Sequence, residues 1–443
     1  MTNYIQPRLL KGFRDCLPAL MILKEHLLEK ARQVFRSFGF APIDTPALEY
    51  TEILLGKGGE ESDKLIYRFK DHGDRDVALR FDLTVPFARF AAMYVNELGT
   101  PFKRYAMGPV WRGENPAHGR FREFWQCDFD TIGTTSNAAD IETVLVIHDL
   151  LRSFGFERFL IHVNNRMVLN GFLEELGLAG QTAALLRAQD KLAKIGREAV
   201  SAEMVDKAGV TAAQADRILT LVETTGDNAA ILDRLQSELG ANAKAAEGIK
   251  RLRELLEVAK AAGVSEERLR LDLSIARGLD YYTGTIFETI LTDMPGIGSI
   301  CSGGRYDDLA SLYTKQRLPG VGASLGLTRL LAAMEEMNLL PKASTPAPVL
   351  LVQFTPDRLG DYQKMASLLR SQGIGVEVFP EPKKVGQQLQ YAERRGFRIA
   401  LIAGPDEFDK GVWKIKDLAA RAEQTIPTHE VVEILQNMID GKK

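Results

Sequence analysis

Cysteine is scarce in this chain. There are three in 443 residues, Cys16, Cys127 and Cys301. They lie far apart with no C-x-x-C pair, which argues against a disulfide framework and against a thiolate zinc site. The six histidines are equally scattered, with no H-x-x-x-H pair to place two imidazoles on one helix face. Long apolar runs are also missing. Nothing approaches the roughly 18 residues of a membrane-spanning helix, and residues 1–15 are too mixed and charged for a secretory leader. Charge of one sign is missing too: 56 Lys and Arg stand against 59 Asp and Glu, a net −3. A polyanion would therefore have to be met by a local patch and not by bulk attraction. There is no internal repeat and no low-complexity tract. The expected setting is the reducing cytoplasm, with no membrane partner and no resident metal.

Apolar residues make up 45% and charged residues 26%, enough for a real core and against wholesale disorder. At about 150 residues per domain the length suggests two to four domains. Leu23, Leu27, Leu28, Ala31, Val34 and Phe35 recur at helical spacing, and Gly39 stops the run. Residues 40–46 read as extended, with Pro46 at an edge or bend. Between 65 and 135, short β-type runs at 65–69, 77–81, 102–105 and 123–132 alternate with glycine and proline, the pattern of an antiparallel sheet. From 166 to 265 the Ala, Leu, Glu and Lys content reads as a helical module. Strand character returns at 269–276 and 285–291, followed by Gly296, Gly298, Gly303 and Gly304 and a helix starting near Gly326.

The expected organisation is thus an α/β (α+β) chain in which residues 1–165 and 266–340 form two halves of one sheet domain around the inserted helices. After a linker at 341–346, strands at 349–354, 376–379, 399–403 and 412–415 alternate with helices near 357–372, 385–395 and 428–439. That alternation indicates a small α/β domain over 346–443.

Four segments carry candidate chemistry. The first is Arg112-Gly-Glu-Asn-Pro-Ala-His-Gly-Arg-Phe-Arg-Glu-Phe-Trp-Gln-Cys-Asp-Phe-Asp130. Read as a hairpin, it puts Arg112 and Glu114 on one strand face, turns at Pro116 and Gly119, and returns with Arg120 and Arg122. Guanidinium forks neutralise phosphate oxygens, and an aromatic ring can stack on a base. On composition alone a solvated hairpin laced with Arg–Glu pairs accounts for the segment equally well. The second is Ser274-Ile-Ala-Arg-Gly-Leu-Asp-Tyr-Tyr-Thr-Gly-Thr-Ile-Phe-Glu288, with Arg277 and two tyrosines; alone, a hairpin with a core Tyr and a surface Arg is the better reading. The third, Gly303-Gly-Arg-Tyr-Asp307, reads as a glycine turn able to line a pocket. The fourth, Gly322-Ala-Ser-Leu-Gly-Leu-Thr-Arg329, places Arg329 near a helix start, where it could meet a terminal phosphate.

Together these segments resemble motifs 2 and 3 of class II aminoacyl-tRNA synthetases. R-G-L-D-Y-Y and G-G-R-Y-D resemble the histidine signatures of the histidyl-tRNA synthetase family. Lys11-Gly-Phe-Arg-Asp-Cys-Leu-Pro18 resembles its opening K-G-x-R-D-x-x-P, Gly39-Phe40 with Pro46 its motif 1, and Arg80-Phe-Asp-Leu-Thr-Val-Pro86 its amino-acid segment. The stretch 384–396 resembles its anticodon-binding domain.

The resemblance implies a ligase that joins L-histidine to the α-phosphate of ATP, with Mg²⁺ on the triphosphate, and then charges tRNA(His) as a homodimer. By that resemblance Arg112 and Arg277 are catalytic, holding the α-phosphate and bridging it to the carboxylate. Arg120 and Arg329 hold the outer phosphates, Glu114 meets the adenine amino group, and Phe124 and Arg329 sandwich the ring. Asp82, Thr84 and Gln126 take the α-ammonium group. Asp130 and Tyr282 take the imidazole nitrogens, while Tyr281, Tyr306, Gly303 and Gly304 close the pocket.

Two positions depart from the family pattern. Thr328 stands where motif 3 commonly has Glu, and Asp82 where many members have Glu. The main rival is the histidine-binding regulatory subunit of ATP phosphoribosyltransferase, a paralogue that usually lacks the C-terminal domain and shows eroded arginines. A tRNA-sensing pseudo-synthetase and a prolyl specificity are weaker rivals. Residues 341–443 hold 15 basic and 13 acidic side chains, with Lys383, Lys384, Arg394, Arg395 and Arg398 close together. Such a local patch suits single-stranded loop recognition.

Overall fold

The computed structural model describes residues 4–55, 64–275 and 281–441. They fall into two compact units, one made of the chain up to Arg14 with Leu27–Met337, the other of Asp15–His26 with Asn338–Lys443. The strands of the first unit are β1 (Ala41–Pro42), β2 (Leu48–Tyr50), β3 (Arg68–Lys70), β4 (Asp76–Leu79), β5 (Phe102–Trp111), β6 (Glu123–Ile132), β7 (Phe159–Asn165), β8 (Leu269–Leu271), β9 (Thr285–Leu291), β10 (Cys301–Tyr306) and β11 (Gly320–Gly326). Eight of them form one sheet in the order β1-β5-β6-β11-β10-β9-β7-β8, antiparallel except for the two edge pairs. Strands from before and after the helical run therefore share a single sheet. A small antiparallel sheet, β2-β4-β3, stands beside it.

Glycines make the centre of the large sheet possible. Gly322 on β11 pairs with Asp130 on β6 and with Gly304 on β10. A Cβ at Gly322 would lie 2.3 Å from both Asp130 Oδ1 and the Phe129 carbonyl. At Gly320 it would lie 2.3 Å from the Tyr306 ring. The absent side chains leave room for a carboxylate and a phenol packed directly onto backbone. Gly303 and Gly304, expected in a turn, lie inside β10 instead. The correction follows from this packing: a Cβ at Gly303 would meet the Gly322 carbonyl at 2.1 Å, so the glycines serve close strand approach and not chain reversal.

The helix Asn137–Ser153 packs against the sheet, capped by the Ser136 side chain. It is tied to β10 by Arg305, which is 3% exposed and ion-paired with fully buried Asp140. Arg305 also donates to the carbonyls of Thr134 and Ser136 at 2.9 and 3.1 Å. The helical run after β7 belongs to the same unit. Its long helix Ala243–Ala261 lies against Arg166–Glu175, where Gly171 and Gly248 allow close approach, and Asn137 donates to the Arg251 carbonyl at 3.0 Å.

In the second unit β12 (Val349–Val352), β13 (Val376–Val378), β14 (Ile399–Ile402), β15 (Val412–Asp417) and β16 (Ala422–Pro427) form a mixed sheet in the order β13-β12-β14-β15-β16. Buried Val349, Leu351, Tyr362, Leu401 and Trp413 fill one face. The strand β16 is not legible from sequence, because it is an edge strand with four of six residues exposed and carries little apolar alternation.

Asp140→Ala should strand a buried guanidinium, and losing one partner of such a pair costs about 3–5 kcal/mol. Denaturant unfolding should show that loss in the transition of the first unit, leaving that of the second unchanged.

Candidate active site

Two adjoining cavities, of about 260 and 140 Å³, open on one face of the large sheet. Arg112, Gln126, Ser302, Ser324 and Arg329 line both. The smaller cavity adds Glu114, Arg120, Phe121 and Phe124, and the larger adds Asp82, Thr84, Asp128, Tyr281 and Tyr282. Arg120, Phe124 and Arg329 thus meet in one place, and the two tyrosines in the other.

The cationic wall comes from the connection between β5 and β6. Arg112 and Glu114 were expected on a strand, but β5 ends at Trp111 and β6 starts at Glu123. The intervening residues form a loop, closed by Arg112 N–H to the Arg122 carbonyl at 2.9 Å and an Ala117–Arg120 bridge. Arg112 Nε donates to the Phe81 carbonyl at 2.9 Å, and its guanidinium lies 5.1 Å from the Phe124 ring centre. Glu114 stands between Arg112 and Arg120, at 3.8 and 3.6 Å. From the other side Arg329 Nη1 donates to the Ser299 carbonyl at 2.5 Å. The segment from Lys11 braces this loop. Arg122 N–H donates to the Gly12 carbonyl at 2.8 Å, and Arg14 sits 4.5 Å over Phe121. A Cβ at Gly12 would lie 2.8 Å from Arg122, and its φ of +87° favours glycine as well.

The floor of the larger cavity is acidic and buried. Asp82 caps the helix Thr84–Leu98 through Oδ1, which accepts from Val85 N–H at 3.1 Å, while its Oδ2 is buried without a partner. Burial pushes its carboxyl up to about 6 against the pull of the Val85 amide and Arg112. Gln126 donates to Ser324 Oγ at 2.9 Å, and its own Oε1 is buried without a partner. Asp128, 1% exposed, is pushed up to about 7 by burial, against the fully buried Arg104. Burial also raises the Tyr281 and Tyr282 phenols, which keeps both hydroxyls protonated.

Of the residues expected at the site, Asp82, Thr84, Arg112, Glu114, Arg120, Phe124, Gln126, Tyr281, Tyr282, Gly303 and Arg329 line one or both cavities. Asp130 and Tyr306 lie behind the lining. Tyr306 OH donates to Asp130 Oδ1 at 2.6 Å, and Arg104 Nη2 pairs with Oδ2 at 2.6 Å. Gly304 also lies behind the lining, its missing Cβ 2.8 Å from the Thr285 carbonyl. Arg277 lies outside the described residues. Asp128, Ser302 and Ser324 line the cavity without having been singled out. The signal for Asp128 was available in β6, where Gln126, Asp128 and Asp130 share one face by strand alternation.

The family model described as histidyl-tRNA synthetase matches residues 12–330, and that of an anticodon-binding domain matches 349–438. A protein of Rhodopirellula baltica named histidine–tRNA ligase is 59% identical over 99% of both chains. The crystal structure of histidyl-tRNA synthetase from Nostoc sp. PCC 7120 superimposes with a TM-score of 0.89 at 34% identity, covering 98% of this chain and 100% of its own. The chain belongs to the histidyl-tRNA synthetase family. A Bacillus halodurans structure described as an ATP phosphoribosyltransferase regulatory subunit/histidyl-tRNA synthetase shares the fold, with a TM-score of 0.71 at 21% identity over 87% of this chain and 97% of its own. Against the family's usual G-x-E-R, Thr328 has a definite task here: its hydroxyl accepts from Trp125 N–H at 2.8 Å, pinning the helix Leu327–Glu336 to β6.

The raised Asp128 carboxyl has a consequence for stability. The folded protein holds this proton at pH values where the unfolded chain has released it, so the group costs stability as pH rises from about 4 through about 7. Asn mimics the protonated form. Asp128→Asn is therefore expected to match the wild type near pH 4 and to exceed it by about 1–3 kcal/mol at pH 8, read from paired denaturation curves.

Proposed function

We propose that the protein is a histidine–tRNA ligase whose activation step takes place across these two cavities. The observation that carries the reading is the placing of charge across them: Arg112 and Arg329 line both, Arg120 adds a third guanidinium to the smaller, and the buried carboxyls of Asp82 and Asp128 line the larger. The larger cavity would take histidine, its α-ammonium at Asp82, Thr84 and Gln126 and its ring beside Tyr281 and Tyr282. The smaller would take ATP, its adenine between Phe124 and Arg329 with Glu114 at the amino group, and its outer phosphates at Arg120 and Arg329.

The histidine carboxylate is already ionised at pH 7, so its attack on the α-phosphorus needs no general base. One carboxylate oxygen bonds to phosphorus as the bond to the bridging oxygen breaks and pyrophosphate leaves. The difficulty is bringing two anions together and stabilising charge as it develops. Fixed positive charge and positioning supply most of that. Arg112 lines both cavities and so reaches the place where the reacting groups would meet; Arg277 is assigned beside it by resemblance. Mg²⁺ would travel on the triphosphate, and Glu288 in the lining is a hard oxygen donor suited to it.

Transfer to tRNA(His) would follow, with the second unit as the anticodon-reading module. Its helix Val385–Arg395 carries Arg394 and Arg395 in its last turn, and Arg395 lies 5.9 Å from the Tyr391 ring centre. Basic and aromatic groups so mixed suit an unpaired loop. A homodimer built around the Pro46 segment and a cytoplasmic location complete the reading. Among the described residues no helix is long and apolar enough to cross a membrane. The regulatory-subunit alternative is not favoured: Arg112 and Arg329 are intact, and the relative at 59% identity over the whole chain carries the ligase name.

The test is histidine-dependent ATP–pyrophosphate exchange by the purified protein. Exchange should require histidine, and Arg112→Ala should lower it about 100-fold, the usual scale for one charge-stabilising donor. Arg277→Ala should do the same. Histidine binding by a folded protein with no exchange would favour the regulatory reading.

A further inference from the structure

We propose that Arg14 is a positioning residue for ATP: it holds the loop between β5 and β6 in the shape that takes the nucleotide. The inference rests on the reading above that ATP enters the smaller cavity. That loop supplies Arg112, Glu114, Arg120 and Phe121 to the lining. A loop so long and so charged would lose much conformational freedom on meeting a triphosphate. Whatever fixes it beforehand strengthens binding without touching the ligand. The fixing comes from the segment that starts at Lys11. Arg122 N–H donates to the Gly12 carbonyl at 2.8 Å, and Arg122 Nη1 reaches the Lys11 carbonyl at 3.5 Å. Arg122 Nε donates in turn to the Glu114 carbonyl at 3.1 Å. One side chain thus links the segment to both arms of the loop. A Cβ at Gly12 would also meet Pro116 Cγ at 2.9 Å, so the segment is seated against the turn.

Arg14 closes the arrangement. Its guanidinium lies 4.5 Å over the Phe121 ring centre, and its Nη1 lies 3.5 Å from Glu335 Oε2. Its Nε and Nη2 are buried with no hydrogen-bond partner among the described residues. A guanidinium so short of acceptors serves chiefly through its flat face, which covers an aromatic ring well. Phe121 follows Arg120 directly, so pinning the ring fixes the backbone from which Arg120 projects. Glu335 belongs to the last turn of the helix Leu327–Glu336, whose first turn carries Arg329. Beside it Glu336 pairs with His118, from the tip of the loop, at 3.1 Å. Carboxylates in a last turn run against the helix dipole. Helix stability does not account for these two; holding Arg14 and His118 does. At the same tip a Cβ on Gly119 would lie 3.5 Å from Arg329 Cγ. The loop is thus held against the helix that presents Arg329. Arg14 itself lines neither cavity, so its effect on ATP passes through the loop.

The experiment titrates the full chain separately with Mg²⁺–ATP and with L-histidine in a calorimeter, for wild type, Arg14→Ala, Phe121→Leu and the double variant, with a thermal melt of each. Limited digestion with trypsin follows cleavage after Arg120 and Arg122. In Arg14→Ala the Kd for ATP should rise about 10-fold while the Kd for histidine stays within about twofold, and loop cleavage should quicken by a similar factor. In the Phe121→Leu background the same substitution should weaken ATP binding by less than about threefold, because the ring it acts through is gone. A Kd for ATP within about twofold of wild type in Arg14→Ala overturns the proposal. So does an equal loss of ATP and histidine binding, which marks a merely structural role, and so does an undiminished cost in the Phe121→Leu background. Should Arg14→Ala fail to fold, Arg14→Gln, which keeps the length without the charged plane, is read by the same criteria. Folded wild type that binds histidine but no ATP overturns the reading of the smaller cavity itself, and the inference with it.

Discussion

One buried cation sets the terms for the rest of the site. Arg104 is fully buried beneath the ring of Phe87, 4.4 Å from its centre, and pairs with Asp130. Its charge also acts on Asp82 and Asp128. A lone guanidinium in such a place would be prohibitively costly, and so would three carboxylates without it. Together they leave an excess of acceptors on one side of the sheet. That excess accounts for the orphaned oxygens of Asp82, Gln126, Asp128 and Asp130.

The neighbouring cavity has the opposite character. Its arginines are held in place by the Phe81 carbonyl for Arg112, Glu114 for Arg112 and Arg120, and the Ser299 carbonyl for Arg329. Fixing these long side chains in advance lowers the ordering cost when an anion arrives. The two cavities share Arg112 and Gln126 in their lining. In the proposed activation step, a zwitterion with its ammonium on the acid side would present its carboxylate toward the shared Arg112, so complementarity and reactivity would come from the same charge gradient.

Much of this was legible in the sequence. The helix around Leu27, the strand Glu123–Ile132, the helical run and the α/β character of the last hundred residues follow from apolar period and composition. Asp82, Arg112, Phe124 and Arg329 were named from motif and chemistry. The misreadings have physical causes. Gly303-Gly-Arg-Tyr looks like a turn because glycine favours turns, yet the same residue also lets two strands approach closely, and only the partner strand distinguishes the cases. Arg112 and Glu114 looked like strand neighbours because alternation continues across a loop whose closure depends on Arg122, ten residues on. Arg305 looked like part of a pocket but is an internal brace, since its partner Asp140 comes from a distant helix.

The sequence by itself determined the family, the order of the elements and the kinds of chemistry available, because these rest on residue type and local spacing. Tertiary structure alone decided which of the like residues line the cavity. Asp128 and Asp130 are two positions apart on one strand face and chemically identical. They differ in that Tyr306 from β10 donates to Asp130 and Arg104 from β5 pairs with it, while Asp128 lines the cavity. Hydrogen-bond satisfaction is a property of all the strands that meet at a point, and no single stretch of sequence contains it.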